Sequence, residues 1–142
     1  MWRLSPLVGE AARSGRLPEN LLRRIEKFSQ HLGDWLLEPE YPALIHGDMW
    51  TTNILAARGR ITGFIDPAIY YAHPEIELAF STLFNTFGSE FFSRYHELRP
   101  IPPGFFENRR DIYNLYPLLV HVRLFGGGYV ASVERILQQF KF

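Results

Sequence analysis

The sequence predicts a mainly α fold carrying one small β-hairpin, an α+β domain, on three observations. Apolar residues recur at helical spacing in the first third and the second half of the chain. Short apolar runs around a glycine-containing turn replace that spacing in between. A hydrophobic content of 46%, with twelve Phe, is ample for a packed core. At 142 residues the chain has the length of one domain able to bury most of its unfolded surface, so a single domain is expected.

From Pro18 to Leu37, Leu21, Ile25, Phe28, Leu32 and Trp35 or Leu36 follow i, i+4, i+7, i+11 spacing, with Pro18 suited to a first helical position. The run Glu38-Pro39-Glu40-Tyr41-Pro42 breaks that helix. Short apolar stretches follow at Ala43–Ile45, Ile54–Ala57 and Ile61–Ile65; the last two, separated by Arg58-Gly59-Arg60, predict the hairpin. Pro74–Asn85 and Ser89–Leu98 read as helices, the second with Phe91, Phe92, Tyr95 and Leu98 on one face. From Phe105 onward the pattern is helical again, bent near Pro117, broken at Gly126-Gly127-Gly128, then resumed with Tyr129, Val133, Ile136 and Phe140 on one face. Pro100–Gly104 reads as a loop rather than a domain boundary.

Fifteen basic and fifteen acidic side chains cancel, leaving no field that would draw the chain to nucleic acid or an anionic membrane. No apolar run approaches the ~20 residues that span a bilayer, and no signal-peptide-like stretch opens the sequence. Cysteine is absent, which excludes disulfides and thiolate metal sites. A cytoplasmic protein without nucleic acid or membrane partners is expected.

Only four Asp occur, and two of them, Asp48 and Asp66, flank the hairpin beside His46 and Asn53. If the two strands pair, Asn53 before the first and Asp66 after the second lie at the same open end. A carboxylate and an amide oxygen, completed by phosphates and water, suit Mg²⁺, so Asn53 and Asp66 form the expected metal pair. Asp48, five positions before Asn53, is left free to accept a hydroxyl proton as general base. This D-x-x-x-x-N spacing with a later metal-binding Asp is that of the protein-kinase catalytic loop. The alternative for such loop residues is helix capping and Asx turns. His46 is expected to hold the loop by hydrogen bonds without taking a proton.

HGDMWTTN followed by DPA resembles the aminoglycoside phosphotransferase and choline kinase superfamily. Trp50 after HGDM, the string DPAIYYAHPEIELAF and the later LYPLLVHVRLFGGGY resemble the fructosamine (ketosamine) kinase family specifically, from about Arg3 to the C-terminus. The resemblance implies the C-terminal catalytic lobe of a protein-kinase-like fold that uses ATP and Mg²⁺ to phosphorylate a sugar hydroxyl of a small glycated amine. Carried over, Asp48 is the base, and Asn53 and Asp66 bind the metal. Two positions depart from the family: HGDLWSGN is here HGDMWTTN, and an acidic position usually held by Asp is Glu77, whose longer side chain must reach the catalytic loop from farther away. Glu75 keeps the acidic character of that stretch.

The loop that covers the phosphates and the strand lysine paired with a helix glutamate are not found, since the only lysines are Lys27 and Lys141 and the only glycine cluster, Gly126–Gly128, lies between helices. A lobe without them is expected to be severely impaired alone and to need a missing N-terminal lobe or a partner chain. Trp50, Tyr70 and Tyr71 could line the sugar site, with core packing the alternative; His73, His96 and His121 read as structural. Two competing readings remain: a non-catalytic kinase-lobe binding module, and a metal-dependent phosphohydrolase using His46, Asp48, Asp66 and His73.

Overall fold

A computed structural model describes residues 4–142, and Arg3, where the family resemblance begins, lies outside the described residues. The fold is mainly α, with two short antiparallel strand pairs. The chain divides into two compact units: Asn114–Phe142 with the described residues up to Leu37, and Glu38–Tyr113.

The first unit is helical. Helix α1 (Leu4–Arg13) buries Leu7, Val8 and Ala11, and packs on α2 (Glu19–Ser29), which buries Leu21, Ile25 and Phe28. Sequence periodicity does not announce α1, because Pro6 and Gly9 interrupt it. The helix predicted to reach Leu37 stops at Ser29. Gln30 and His31 donate to the carbonyls of Lys27 and Phe28, three residues back, so the last turn tightens and a 3₁₀ turn at Leu32–Asp34 follows. Leu32 still reaches the interior, and Trp35 meets the edge of Phe140 at 5.0 Å, so the apolar spacing beyond Ser29 is satisfied without α-helix.

Helix α5 (Arg110–Phe125) passes through Pro117 without ending. It stops where Gly126 (φ 65°) and Gly127 (φ 59°) turn left-handed, and α6 (Gly128–Gln139) starts directly after, burying Val133, Ile136 and Leu137 against the α2 side. The Arg16 guanidinium donates to the carbonyls of Arg123 and Leu124, satisfying acceptors that the helix end leaves open. No described helix is long and apolar enough to cross a membrane.

The second unit holds the strands. β2 (Ile54–Ala57) and β3 (Arg60–Phe64) form the expected hairpin, one residue earlier at its second strand than the apolar run suggests. The turn is only Arg58-Gly59, with φ of 52° and 73°, the two consecutive positive values of a type I′ turn, so Arg60 is already in the ladder. A bulge between Leu55 and Ala56 puts Ala56 opposite Ile61 and Leu55 opposite Gly63. A second pair, β1 (Ala43–Ile45) with β4 (Tyr70–Ala72), is not foreseen, because three residues are too few to show a period.

Helix α3 (Pro74–Leu83) packs on β1 and on a π-helical turn at Phe105–Arg109. Leu78, Ala79, Ile101 and Phe105 form this unit's buried centre, with Phe91, Phe92 and Tyr95 of α4 (Ser89–Leu98) and Tyr113 against it. Beside it Glu75 and Arg109, with side chains 3% and 5% exposed, make a bidentate ion pair: Nε to Oε2 at 2.8 Å and Nη2 to Oε1 at 2.7 Å. Two further guanidinium donors bond the carbonyls of Pro102 and Pro103 at 2.9 and 2.8 Å.

Removing one partner of a buried pair strands the other charge. Glu75→Gln is expected to lower urea stability by about 3–5 kcal/mol, and a Glu75→Leu/Arg109→Met double variant to recover most of that loss.

Candidate active site

The expected site residues lie on one short stretch, from the end of β1 through the hairpin to the start of β4. β1 ends at Ile45, and His46, Gly47 and Asp48 turn away from it. Gly47 has φ 83°, and a Cβ there would lie 2.3 Å from the Ala68 carbonyl oxygen and 2.8 Å from Tyr70 Cε1. Only glycine fits this crossing, in conformation and in space. The crossing is fastened on its other side by the Ala68 amide, which donates to the His46 carbonyl at 2.8 Å.

Both ring nitrogens of His46 are engaged. Nε2 lies 2.9 Å from the Ile65 carbonyl oxygen, and Nδ1 lies 3.3 Å from the Asp48 amide nitrogen. A carbonyl can only accept and an amide N–H can only donate, so the ring is neutral with its proton on Nε2. His46 therefore ties the Asp48 backbone to the end of the hairpin, and no nitrogen is left over for proton transfer.

Asn53 closes a 3₁₀ turn at Thr51–Asn53 and is 6% exposed. Its Nδ2 donates to the Asp48 carbonyl and to Asp48 Oδ2, both at 2.9 Å. Both partners are acceptors, so the amide orientation follows and its Oδ1 faces away from Asp48. The Ile65 amide donates to the Asn53 carbonyl at 3.0 Å, extending the hairpin ladder by one rung and bringing Asp66, the next residue, to the Asn53 end. Asp66 is exposed and left-handed, with φ 51°. A non-glycine residue held there carries roughly 1–2 kcal/mol of strain, which surrounding structure has to maintain.

The Asn53 amide oxygen and the Asp66 carboxylate are hard oxygen donors on adjoining segments, a set that fits Mg²⁺ with its waters. Among the described residues, no group of three or more His, Asp or Glu gathers as a metal cage, which the phosphohydrolase reading requires. His73, its fourth member, is the N-cap of α3: Nδ1 accepts from the Glu75 amide at 3.1 Å. His96 Nδ1 accepts from the Ile101 amide at 3.0 Å, and His121 Nδ1 lies 2.7 Å from the Pro117 carbonyl.

Glu77 spans the distance that its substitution for Asp raises. Its Oε1 accepts from the Gly47 amide at 2.8 Å, joining α3 to the residue before Asp48. Trp50 packs on Phe84 with ring centroids 5.3 Å apart, and Tyr70 lies under the Gly47 turn. Tyr71 stands opposite Leu44 on the outer side of the strand pair, 70% exposed. Residue-type reasoning passes over Gly47 and the capping role of His73, although a glycine directly before the loop Asp and a His before Pro at a helix start are the signals for them.

The family profile described as fructosamine kinase matches residues 3–141. A candidate ketoamine kinase from Synechocystis sp. is 38% identical over 127 residues, covering 89% of this chain and 41% of its own length. The chloroplastic protein-ribulosamine 3-kinase of Oryza sativa subsp. japonica is 44% identical over 99 residues, 70% of this chain and 28% of that protein. The crystal structure of a candidate fructosamine-3-kinase from Thermobifida fusca YX-ER1 matches with a TM-score of 0.83 at 34% identity, over 94% of this chain and 46% of that one. The chain thus spans less than half the length of these relatives.

Gly47→Ala is expected to destabilise the chain more than Gly59→Ala does. Both glycines have positive φ, but nothing lies within 4 Å of a Cβ at Gly59, so urea unfolding of the pair separates backbone strain, about 1–2 kcal/mol, from the added clash at Gly47.

Proposed function

The chain belongs to the fructosamine kinase family, and from that premise we propose that it carries the proton-accepting and metal-binding half of an ATP-dependent phosphotransfer to a sugar hydroxyl of a small glycated amine. The relatives' names support the acceptor class. The observation that carries the reading is Asn53, whose side-chain Nδ2 donates to Asp48 Oδ2 while its backbone carbonyl accepts from the amide of Ile65, the residue before Asp66.

In this reading Asp48 accepts the proton of the attacking sugar hydroxyl through its carboxylate. The sugar oxygen then bonds to the γ-phosphorus while the bond from that phosphorus to the ADP oxygen breaks. Asn53 orients the base, and His46 and Glu77 hold the backbone on either side of Gly47 without exchanging protons. Asn53 Oδ1 and Asp66 would hold Mg²⁺, which when bound neutralises charge on the phosphates. Trp50, Tyr70 and Tyr71 are proposed at the sugar side of the loop; of these, Tyr71 has the most exposed ring.

The phosphate-covering loop and the phosphate lysine are proposed to come from a separate N-terminal lobe or partner chain. Ile61 and Phe64, opposite Ala56 and Ile54 on one face of the hairpin, are 51% and 52% exposed, an apolar surface suited to such a neighbour. Positioning and charge stabilisation supply nearly all catalysis of phosphoryl transfer, so these 142 residues by themselves are expected to be severely impaired.

Phosphate incorporation from MgATP into a fructosyl amine tests this, using the chain alone and fused to the part of the Thermobifida fusca relative that it does not match. The chain alone should stay near background, and Asp48→Asn should lower the fusion's rate by about 10²–10⁴-fold. Undiminished transfer by the Asp48→Asn fusion would overturn the assignment of the base. Substantial turnover by the chain alone would overturn the impairment. Isothermal titration adds a check on Asp66: Mg²⁺-dependent nucleotide binding by the fusion should be lost in Asp66→Ala.

A further inference from the structure

The mechanism proposed above leaves unused a half-buried histidine that caps the helix on which the catalytic turn depends. His73 Nδ1 accepts from the Glu75 amide at 3.1 Å, its ring lies 5.7 Å from that of Tyr113, and the same first turn of α3 carries Glu77, whose carboxylate holds the Gly47 amide at 2.8 Å. From this geometry we infer that His73 is a positioning residue for the catalytic turn, acting through α3: only its neutral imidazole caps the helix, and the capped first turn keeps Glu77 on Gly47, next to Asp48. The inference rests on the proposed role of Asp48.

The cap depends on charge in a definite direction. Protonation places a proton on Nδ1, where the Glu75 N–H has to be accepted, and puts a positive charge at a helix N-terminus, where the helix dipole disfavours it. The groups facing His73 are Glu75 on α3, Arg109 on the π-helical turn, Arg99 after α4, Glu38 before β1 and Tyr113 of α5. Burial is the largest influence and lowers the His73 pKa from 6.5; Glu75 and Glu38 oppose it, while Arg109 and Arg99 reinforce it. Tyr113 stays neutral, its phenol raised well above the ordinary range first by burial and then by the Glu75 charge.

The sign follows. The unfolded chain takes up a proton on His73 near pH 6.5, while the folded chain resists until lower pH. The cap's contribution is therefore fully present above pH 6.5 and is lost as the pH falls below it.

Amide NMR of the 142-residue chain from pH 8 to 5 tests the coupling without relying on kinase activity, comparing the parent with His73→Asn, which keeps a cap that does not titrate, and His73→Ala, which has none. In the parent, the Glu75 and Gly47 amides should move together with one midpoint below 6.5. In His73→Asn that shared transition should vanish. In His73→Ala the Gly47 amide should exchange with solvent at least tenfold faster than in His73→Asn at pH 7.5. A Gly47 amide that ignores the Glu75 transition, or a shared transition that persists in His73→Asn, would overturn the inference; if His73→Ala fails to fold, the parent and His73→Asn decide it alone. Failure of Asp48→Asn to slow transfer in the fusion would remove the assignment of Asp48 as the base and leave this coupling as it stands.

Discussion

The architecture of the site depends on the first turn of α3 and on the two carboxylates it projects. An α-helix advances about 100° per residue, so Glu75 and Glu77, two positions apart, leave the axis in nearly opposite directions. Glu75 goes inward to Arg109 and fixes the helix to the Pro102–Arg109 segment; Glu77 goes outward to the Gly47 amide and fixes the loop to the helix. Each contact complements the other: the buried pair adds to the packing of Leu78 and Ala79 in holding the helix, and Glu77 transmits the helix position to the loop.

Left-handed residues complete the arrangement at the places where the chain has to reverse. Gly47 brings two backbones to within contact of each other, Arg58 turns the hairpin, and Asp66 begins the return toward β4. Between the first and the last, Asn53 performs a task that few side chains could share. It donates to a carboxylate and a carbonyl of the same residue, and a planar amide does so while leaving its oxygen on the far side of a rigid group. An Asp in its place would set a second negative charge against Asp48.

Much of this was legible in the sequence, for identifiable reasons. His46, Asp48, Asn53 and Asp66 stood out because they are polar residues at fixed distances from strands whose apolar runs were readable, and pairing two strands determines which of their ends meet. The helices with a full apolar stripe were equally plain. What could not be read is what depends on contacts between distant residues: the pairing of β1 with β4, the choice of Arg109 among thirteen arginines as the partner of Glu75, and the end of α2 at Ser29, where i−3 bonds override a periodicity that continues to Trp35. The helix α1 was hidden by Pro6 and Gly9, which argue locally against a helix that packing on α2 nevertheless sustains.

The bulge in the hairpin makes it a ruler. Between the rung that joins Ala56 to Ile61 and the one that joins Leu55 to Gly63, β3 spends an extra residue, Thr62. Every rung beyond that point, down to the Ile65 amide on the Asn53 carbonyl, is displaced by one position from where an unbroken ladder would put it. With a strand rise of about 3.3 Å and side chains alternating between faces, a hairpin one residue shorter would set Asp66 a full step out of register with Asn53 and on the opposite face. The spacing of the Asn53 and Asp66 segments is in this way measured out by a residue that belongs to neither, so the length of β3 tolerates less variation than its exposed, unassuming sequence suggests.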